Sequence, residues 1–258
     1  MTELFLIGIG AGNPDHLTRE AEKAIQEADL ILIPDKGENK ADLAEIRETI
    51  CRRVRGQDAK SGMVSFDLPV RVRDEDYLQS VDDWHDKIAL AWSEAMMRGR
   101  TAPKRVALLV WGDPSLYDSS LRIAARLRPK LKIRVIPGIT ALQALTAAHA
   151  IPLNDIGEPV LITTGRKLRD QGWPDDADSI AVMLDGECSF KTLPSKGAYI
   201  WWGAFLGMAN EILLQGPLST ITPEIIRARA DARARHGWIM DIYLLHRHRH
   251  VSNNEEID

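Results

Sequence analysis

Three short apolar runs in this chain each end in a turn of small or polar residues, and each turn precedes a helical pattern. These strand–turn–helix segments are residues 4–18, 106–127 and 133–149. Alternation of strand and helix predicts a parallel sheet with helices on both faces. The carboxyl ends of parallel strands meet at one sheet edge, where open α/β sheets bind their ligands. The sequence therefore predicts an α/β fold with several loops facing a ligand.

The chain of 258 residues is long enough for two domains. Strand and helix patterns alternate as far as His149, and the segment Ala150–Asn154 then breaks the pattern. We therefore expect an N-terminal α/β domain over 1–150 and a C-terminal α/β domain over 151–258.

The C-terminal half predicts a second set of strands and helices. Strands are expected at 160–163, 180–184, 199–202 and 238–245, and a helix is expected over 206–214. A further helix is expected to begin with Thr222 as its cap and Pro223 as its first residue, and to end before Gly237.

Composition argues against several classes of protein. The net charge is −4, from 33 basic and 37 acidic residues, whereas nonspecific nucleic-acid binding requires a basic surface. No window approaches the run of about 20 apolar residues that crosses a bilayer, and the start lacks the basic region of a secretion signal. Cys51 and Cys188 lie far apart, without metal-ligand spacing. We expect a cytoplasmic protein with reduced thiols that binds no metal, membrane or nucleic acid.

The turn Trp111–Tyr117 is the segment whose residue types best suit a small ligand. Gly112 lets the backbone approach a bound molecule, Asp113 supplies hydrogen-bond acceptors and Pro114 stiffens the loop. The alternative is an ordinary strand-to-helix turn in which Asp113 caps the helix.

The glycine-rich turn at Gly8, Gly10 and Gly12 suggests a dinucleotide-binding loop at first sight. That fingerprint requires a third glycine where this chain has Asn13, which Pro14 follows. The pattern therefore disfavours a nicotinamide dehydrogenase.

Taken together, the three turns resemble the motifs of the tetrapyrrole methylases, which use S-adenosylmethionine. The matching segments are the Gly8–Gly12 run with Leu17-Thr18, Gly112-Asp113-Pro114 with Tyr117, and Pro137-Gly138-Ile139-Thr140. The resemblance covers nearly the whole chain. It implies two α/β domains of the tetrapyrrole methylase type with the active-site cleft between them, and a homodimer.

The resemblance also implies which residues bind S-adenosylmethionine, with S-adenosylhomocysteine as the product. Met183 corresponds to a cofactor-lining methionine of the family, although simple core packing is an equally good interpretation. The full set of implied cofactor residues is Trp111, Gly112, Asp113, Leu116, Tyr117, Thr140, Ala141, Met183, Gly203 and Ala204.

Tryptophan-rich segments narrow the resemblance to one branch of the family. They are Trp84-His85, Trp202–Gly207 and His236–Tyr243. That branch methylates precorrin-5 at ring carbon 1 and releases the acetyl group as acetate, in aerobic cobalamin synthesis. Because this substrate carries many carboxylates, cationic side chains are expected in its site. The implied substrate contacts are Gly10, Lys36 and Arg166, although each cation is also a candidate for a solvated surface charge.

Removal of the acetyl group requires a base to activate water. Asp35, at the end of the second predicted strand, is the candidate base, and His85 and Tyr117 are its rivals. The alternative for Asp35 is that it caps the following segment.

Two other functions stay open at this stage. The chain could be another member of the same superfamily, acting on a different precorrin or on an RNA ribose, although the charge balance disfavours RNA. It could also be a noncatalytic module that binds a cofactor or a partner through some of its seven tryptophans.

Overall fold

The computed structural model describes residues 2–35, 41–70, 77–98 and 102–247. The chain forms two compact units, Met1–Thr140 and Ala141–Asp258. Within the described residues, no helix is long and apolar enough to cross a membrane.

The first unit is built on a five-stranded sheet in which every pairing is parallel. Its strand order is β3-β2-β4-β1-β5. The strands are β1 (Glu3–Gly8), β2 (Leu30–Asp35), β3 (Met63–Asp67), β4 (Arg105–Val110) and β5 (Lys132–Ile136). The parallel α/β fold predicted for this half is confirmed.

Helices cover both faces of this sheet. They are α1 (Arg19–Glu27), α2 (Ala41–Arg55), α3 (Tyr77–Met97) and α4 (Ser120–Ala124). Alternate strand residues explain the two layers: Phe5 and Ile7 of β1 are buried with Ile25 of α1, whereas Leu4 and Leu6 are buried with helices α3 and α4 on the other face. The connections after β1 and β4 thus leave on opposite faces, an arrangement that opens a crevice at the carboxyl edge of doubly wound sheets.

The second unit contains a mixed five-stranded sheet with the order β6-β7-β10-β8-β9. Its strands are β6 (Val160–Thr164), β7 (Ser179–Met183), β8 (Ala198–Ala204), β9 (Ile212–Pro217) and β10 (Asp241–Arg247). Among the described strands of this sheet, only β6 and β7 pair in parallel, and the other pairings are antiparallel. Its helices are α5 (Ala141–His149), α6 (Gly165–Gln171) and α7 (Leu218–His236).

Three details differ from the sequence-based expectations. The first unit ends at Thr140 rather than at residue 150, because α5 packs against β8 and β10 of the second unit. The helix expected over 206–214 is wrong, since turns lead there into β9, which pairs with β8. The last helix begins at Leu218, so Pro223 lies inside it, and its end before Gly237, which has a φ of 72°, is confirmed.

Candidate functional site

The loops after β1, β4 and β5 touch one another through their backbones. Gly10 and Gly112 form an antiparallel bridge, in which the Gly112 amide donates to the Gly10 carbonyl at 2.8 Å. A Cβ on Gly138 would lie 2.2 Å from the Gly112 oxygen and 2.7 Å from the Gly8 carbonyl carbon. A Cβ on Gly8 would meet the Gly138 nitrogen at 2.6 Å. Glycine is therefore required at both positions, and the three predicted motifs form one structure.

The Asp113 side chain connects two of these loops by hydrogen bonds. One of its carboxylate oxygens accepts hydrogen bonds from the Ser115 amide, at 2.8 Å, and from the Ser115 hydroxyl. The other accepts a hydrogen bond from the Gly138 amide at 2.8 Å. Burial alone would raise the pKa of Asp113, but these hydrogen bonds outweigh it and hold the pKa below its usual value. The carboxylate thus helps to set the position of the Pro137–Thr140 loop.

The backbones of Gly112 and Thr140 lie close together. A Cβ on Gly112 would meet nothing nearer than the Thr140 Cα, at 4.0 Å, and its φ of 66° favours glycine. Tyr117 has a φ of 49° and is 42% exposed, and partial burial raises the pKa of its hydroxyl. Strained residues of this kind cluster at binding sites. Trp111, Leu116 and Ala141 are partly buried residues of the same segments.

The residues predicted to act in catalysis or bind substrate in the first unit lie in different settings. Asp35 is the exposed last residue of β2, at the same sheet edge as the three loops. Gly10 is buried, with a φ of 82°. His85 lies on α3 and is only 4% exposed, and its Nε2 has no hydrogen-bond partner in the described part of the chain. Burial, followed by the charge of Arg126, lowers the pKa of His85. Lys36 falls outside the described residues.

Sequence reasoning missed Arg47, a buried cation at this edge. The pairing of β2 with β4 stops at Leu32 and Leu108, and the Arg47 Nε donates to the Leu109 carbonyl at 3.0 Å. Burial lowers the pKa of Arg47 to about 10, although the charge of Asp118 opposes that change. An arginine on the same helical face as Ile46 and Ile50 was the available signal.

The second unit brings the remaining predicted residues to one edge of its own sheet. Met183 ends β7 beside Thr164 of β6, and Gly203 and Ala204 end β8. Arg166 is an exposed residue of α6, which follows β6 directly. Because β6, β7 and β8 run in the same direction, their carboxyl ends share this edge.

A buried polar network that the sequence analysis did not predict lies at that edge. Arg229 of α7 donates to the Asp241 carboxylate at 2.8 Å, and Asp241 also accepts the Trp202 indole at 3.0 Å. Burial raises the pKa of Asp241 even though Arg229 counteracts it. An arginine four residues after the buried Ile225, on the same helical face, was the available signal.

An apolar cavity of about 390 Å³ lies elsewhere in the first unit. It is lined by residues at the amino ends of the strands, including Thr2, Pro103 and Leu131, and by Met96 and Met97 near the end of α3. It is at the sheet edge opposite to the loops. Among the residues that the structure describes, no group of three or more His, Cys, Asp or Glu side chains is placed to hold a metal ion.

Comparison with known proteins agrees with this geometry. The model of the family Tetrapyrrole (Corrin/Porphyrin) Methylases matches residues 3–222. The precorrin-6A synthase [deacetylating] of a Sinorhizobium species is 45% identical over 251 residues, which is 95% of both chains.

Solved structures show the same relationship. The structure of a putative cobalamin synthesis related protein, CobF, from Corynebacterium diphtheriae has a TM-score of 0.82 and 36% identity, and the match covers 96% of this chain and 99% of that one. A uroporphyrin-III C-methyltransferase from Thermus thermophilus, at 18% identity and a TM-score of 0.59 over 95% and 92% of the two chains, shares the fold. The resemblance seen in the sequence motifs is therefore confirmed: the chain belongs to the tetrapyrrole methylase family.

Proposed function

We propose that this chain is a methyltransferase that converts precorrin-5 by methylating ring carbon 1 and releasing the acetyl group of that carbon as acetate. The observation that carries the proposal is the 45% identity to a deacetylating precorrin-6A synthase over 95% of both chains. Because the match is continuous across the chain, it supports the substrate as well as the fold.

S-adenosylmethionine is the methyl donor that the family uses, and the first unit fits such a group. Gly112 has a φ of 66° and no side chain to cover its backbone, so a bound group can approach that backbone closely. Carbonyl oxygens at strand ends suit a sulfonium cation. S-adenosylmethionine supplies an electrophilic methyl group, and the chain contributes mainly by positioning the reactants. Contacts from Met183, Gly203 and Ala204 stay a prediction.

The deacetylation requires a catalytic base, whereas the methyl transfer requires mainly that the protein position the reactants. Water adds to the acetyl carbonyl, the bond from that carbon to ring carbon 1 breaks, and its electron pair stays with the ring. Acetate leaves, and the electron-rich ring carbon needs no further base to accept the methyl group. Asp35 is the proposed base for the water, since it lies exposed at the end of β2.

The variant Asp35→Asn tests this assignment, and Asp67→Asn is its matched control. Asp67 of β3 is the register partner of Asp35 of β2, and each is the exposed last residue of its strand. We expect Asp35→Asn to abolish acetate release while calorimetry still shows binding of S-adenosylhomocysteine, and Asp67→Asn to keep both. Unchanged acetate production by Asp35→Asn would remove Asp35 from the mechanism.

The same calorimetry separates a methylase from a module that only binds partners. Micromolar binding of S-adenosylhomocysteine to the unaltered chain is expected, and no affinity would contradict the proposed function.

We also propose that the protein is a homodimer and acts in the cytoplasm. Light scattering after size-exclusion chromatography measures the mass of the particle and so checks the dimer.

A further inference from the structure

The end of β2 separates from its neighbour β4 within the first unit. The two strands, both described in full, pair only as far as Leu32 and Leu108, whereas β2 continues to Asp35 and stays paired with β3. The connections after β2 and β4 also leave on opposite sheet faces, since Ile50 of α2 and Ile123 of α4 belong to opposite apolar layers. The separation therefore lies at a switch point of the sheet, where α/β folds bind ligands.

Pro34 explains why the ladder stops. The Ile31 amide donates to the Gly62 carbonyl at 2.7 Å, on the side of β3. The Asp35 carbonyl accepts a hydrogen bond from the Leu68 amide at 3.1 Å, on the same side. Because successive residues of a strand direct their backbone groups to opposite sides, the nitrogen of Pro34 faces β4. Proline has no amide hydrogen, so the ladder lacks a donor at this point.

Arg47 supplies the missing hydrogen bond. Since Leu32 is the register partner of Leu108, an amide at position 34 would donate to the Leu109 carbonyl in a continued parallel ladder. The Arg47 Nε donates to this carbonyl instead, at 3.0 Å. A side chain of α2 thus takes the ladder position that the end of β2 would otherwise hold.

This arrangement is costly for the fold. Arg47 is 5% exposed, and burial lowers the pKa of its guanidinium to about 10, so the side chain stays charged near neutral pH. Burying a cation costs free energy, and an ordinary residue at position 34 would satisfy the Leu109 carbonyl without one. Proteins depart from such local rules chiefly at functional sites.

The separated strand ends carry residues of the candidate site. Asp35 is the exposed last residue of β2, and the turn that contains Gly112 follows β4. Strands joined in a ladder lie about 4.8 Å apart, which leaves no room for a ligand between their ends. Separation of β2 from β4 removes that restriction.

We propose that Arg47 is a positioning residue, which keeps the end of β2 apart from β4 and so sets the place of Asp35 relative to the turn after β4. This inference rests on the proposed function, in which Asp35 is the base for deacetylation. Asp35 acts on the reactants, and Arg47 acts through the backbones of the two strands.

A double-mutant cycle between Arg47→Met and Pro34→Ala tests the exchange of donors. Arg47→Met removes the donor and the charge, and Pro34→Ala restores a backbone amide. In Pro34→Ala alone the Leu109 carbonyl is already bonded to Arg47, so the new amide gains little. When both changes are present the amide can complete the ladder. The melting temperature of the double variant should therefore exceed the value that adding the two single effects gives.

The activity of the double variant separates positioning from a merely structural role. A completed ladder draws the end of β2 towards β4, so acetate release from precorrin-5 should be about tenfold slower or more than in the unaltered chain. Binding of S-adenosylhomocysteine should be retained, because the Asp113 contacts that hold the turn after β4 are untouched. If Arg47 were only structural, acetate release would recover together with the melting temperature.

Arg55→Met is the matched control. Arg55 belongs to the same helix, and its Nη2 donates to the Ala28 carbonyl at 3.4 Å, before the start of β2. This variant should keep acetate release, and its effect on the melting temperature should add to that of Pro34→Ala. If Arg47→Met does not fold, Arg47→Lys replaces it in the cycle, since lysine keeps the charge but has no donor at the position of Nε.

The outcomes separate this inference from the proposed function. Additive melting temperatures in the Arg47 cycle, or normal acetate release by the double variant, would overturn the inference alone. If the unaltered chain releases no acetate from precorrin-5, the proposed function fails and the inference fails with it.

Discussion

Asp113 is the residue whose side chain connects the loop after β4 to the loop after β5. We predict that Asp113→Asn lowers the free energy of unfolding by about 1–3 kcal/mol, because it weakens charge-assisted bonds from the Ser115 and Gly138 donors. Binding of S-adenosylhomocysteine should weaken as well. Asp118→Asn is the control, since Asp118 bonds the amide of Ser120 within its own loop. Equal losses in affinity from the two variants, measured by calorimetry, would contradict the connecting role.

The depressed pKa of Asp113 also predicts how stability changes with pH. The folded-state pKa lies below the value of about 3.9 in an unfolded chain, so the stabilisation is fully present above that pH. It is lost as the pH falls through the folded-state value, because the unfolded chain binds the proton first. We therefore expect the free energy of unfolding, measured with urea, to fall less between pH 6 and pH 3 in Asp113→Asn than in the unaltered chain. An equal fall in the free energy of unfolding of both proteins would argue against this stabilising role of the Asp113 carboxylate.

Single residues show which parts of the candidate site can be predicted from the sequence. Gly112 and Asp113 were identified from their motif, but their partners were not, because a backbone bridge and a carboxylate–amide contact depend on which loops meet in space. Arg47 and Arg229 were missed because each interrupts an otherwise apolar helical face, and such a charge becomes informative only when its acceptor is known.

Among the structural elements, the loop after β5 has the least room for change. Gly138→Ala would place a methyl group against the backbones of Gly8 and Gly112, where no flexible side chain can yield. We predict a loss of about 1–3 kcal/mol in the free energy of unfolding and loss of cofactor binding. Gly186→Ala is the stability control, because a Cβ there meets nothing within 4 Å. Normal unfolding and binding by Gly138→Ala would show that the close contact of the loops is not required.

The strands and helices of the first unit follow from the sequence because apolar runs and helical spacing agree with each other there. The second unit was harder to predict. The segment 206–214 carries apolar residues at a spacing that suits a helix, yet Ile212 and Leu214 belong to β9 and pair with β8 instead. Pro223 suggested a helix start, but the helix begins at the buried Leu218, one turn and a half earlier.

At the scale of the whole molecule, each unit gathers most of its candidate residues at the carboxyl ends of strands of its own sheet. In the first unit these are the loops around Gly10, Gly112 and Gly138, and in the second they are the ends of β7 and β8. The family and the α/β class could be predicted from three motifs, because those motifs occupy defined strand ends. The extent of each unit could not, since it depends on which sheet α5 packs against.

The stoichiometry of the reaction tests the central claim most directly. Precorrin-5 and S-adenosylmethionine carrying a labelled methyl group are incubated with the protein, and the labelled ring product and free acetate are quantified together by NMR. The proposed function predicts that every methyl group transferred to ring carbon 1 is accompanied by one acetate. Methyl transfer without acetate, or to another ring position, would contradict it.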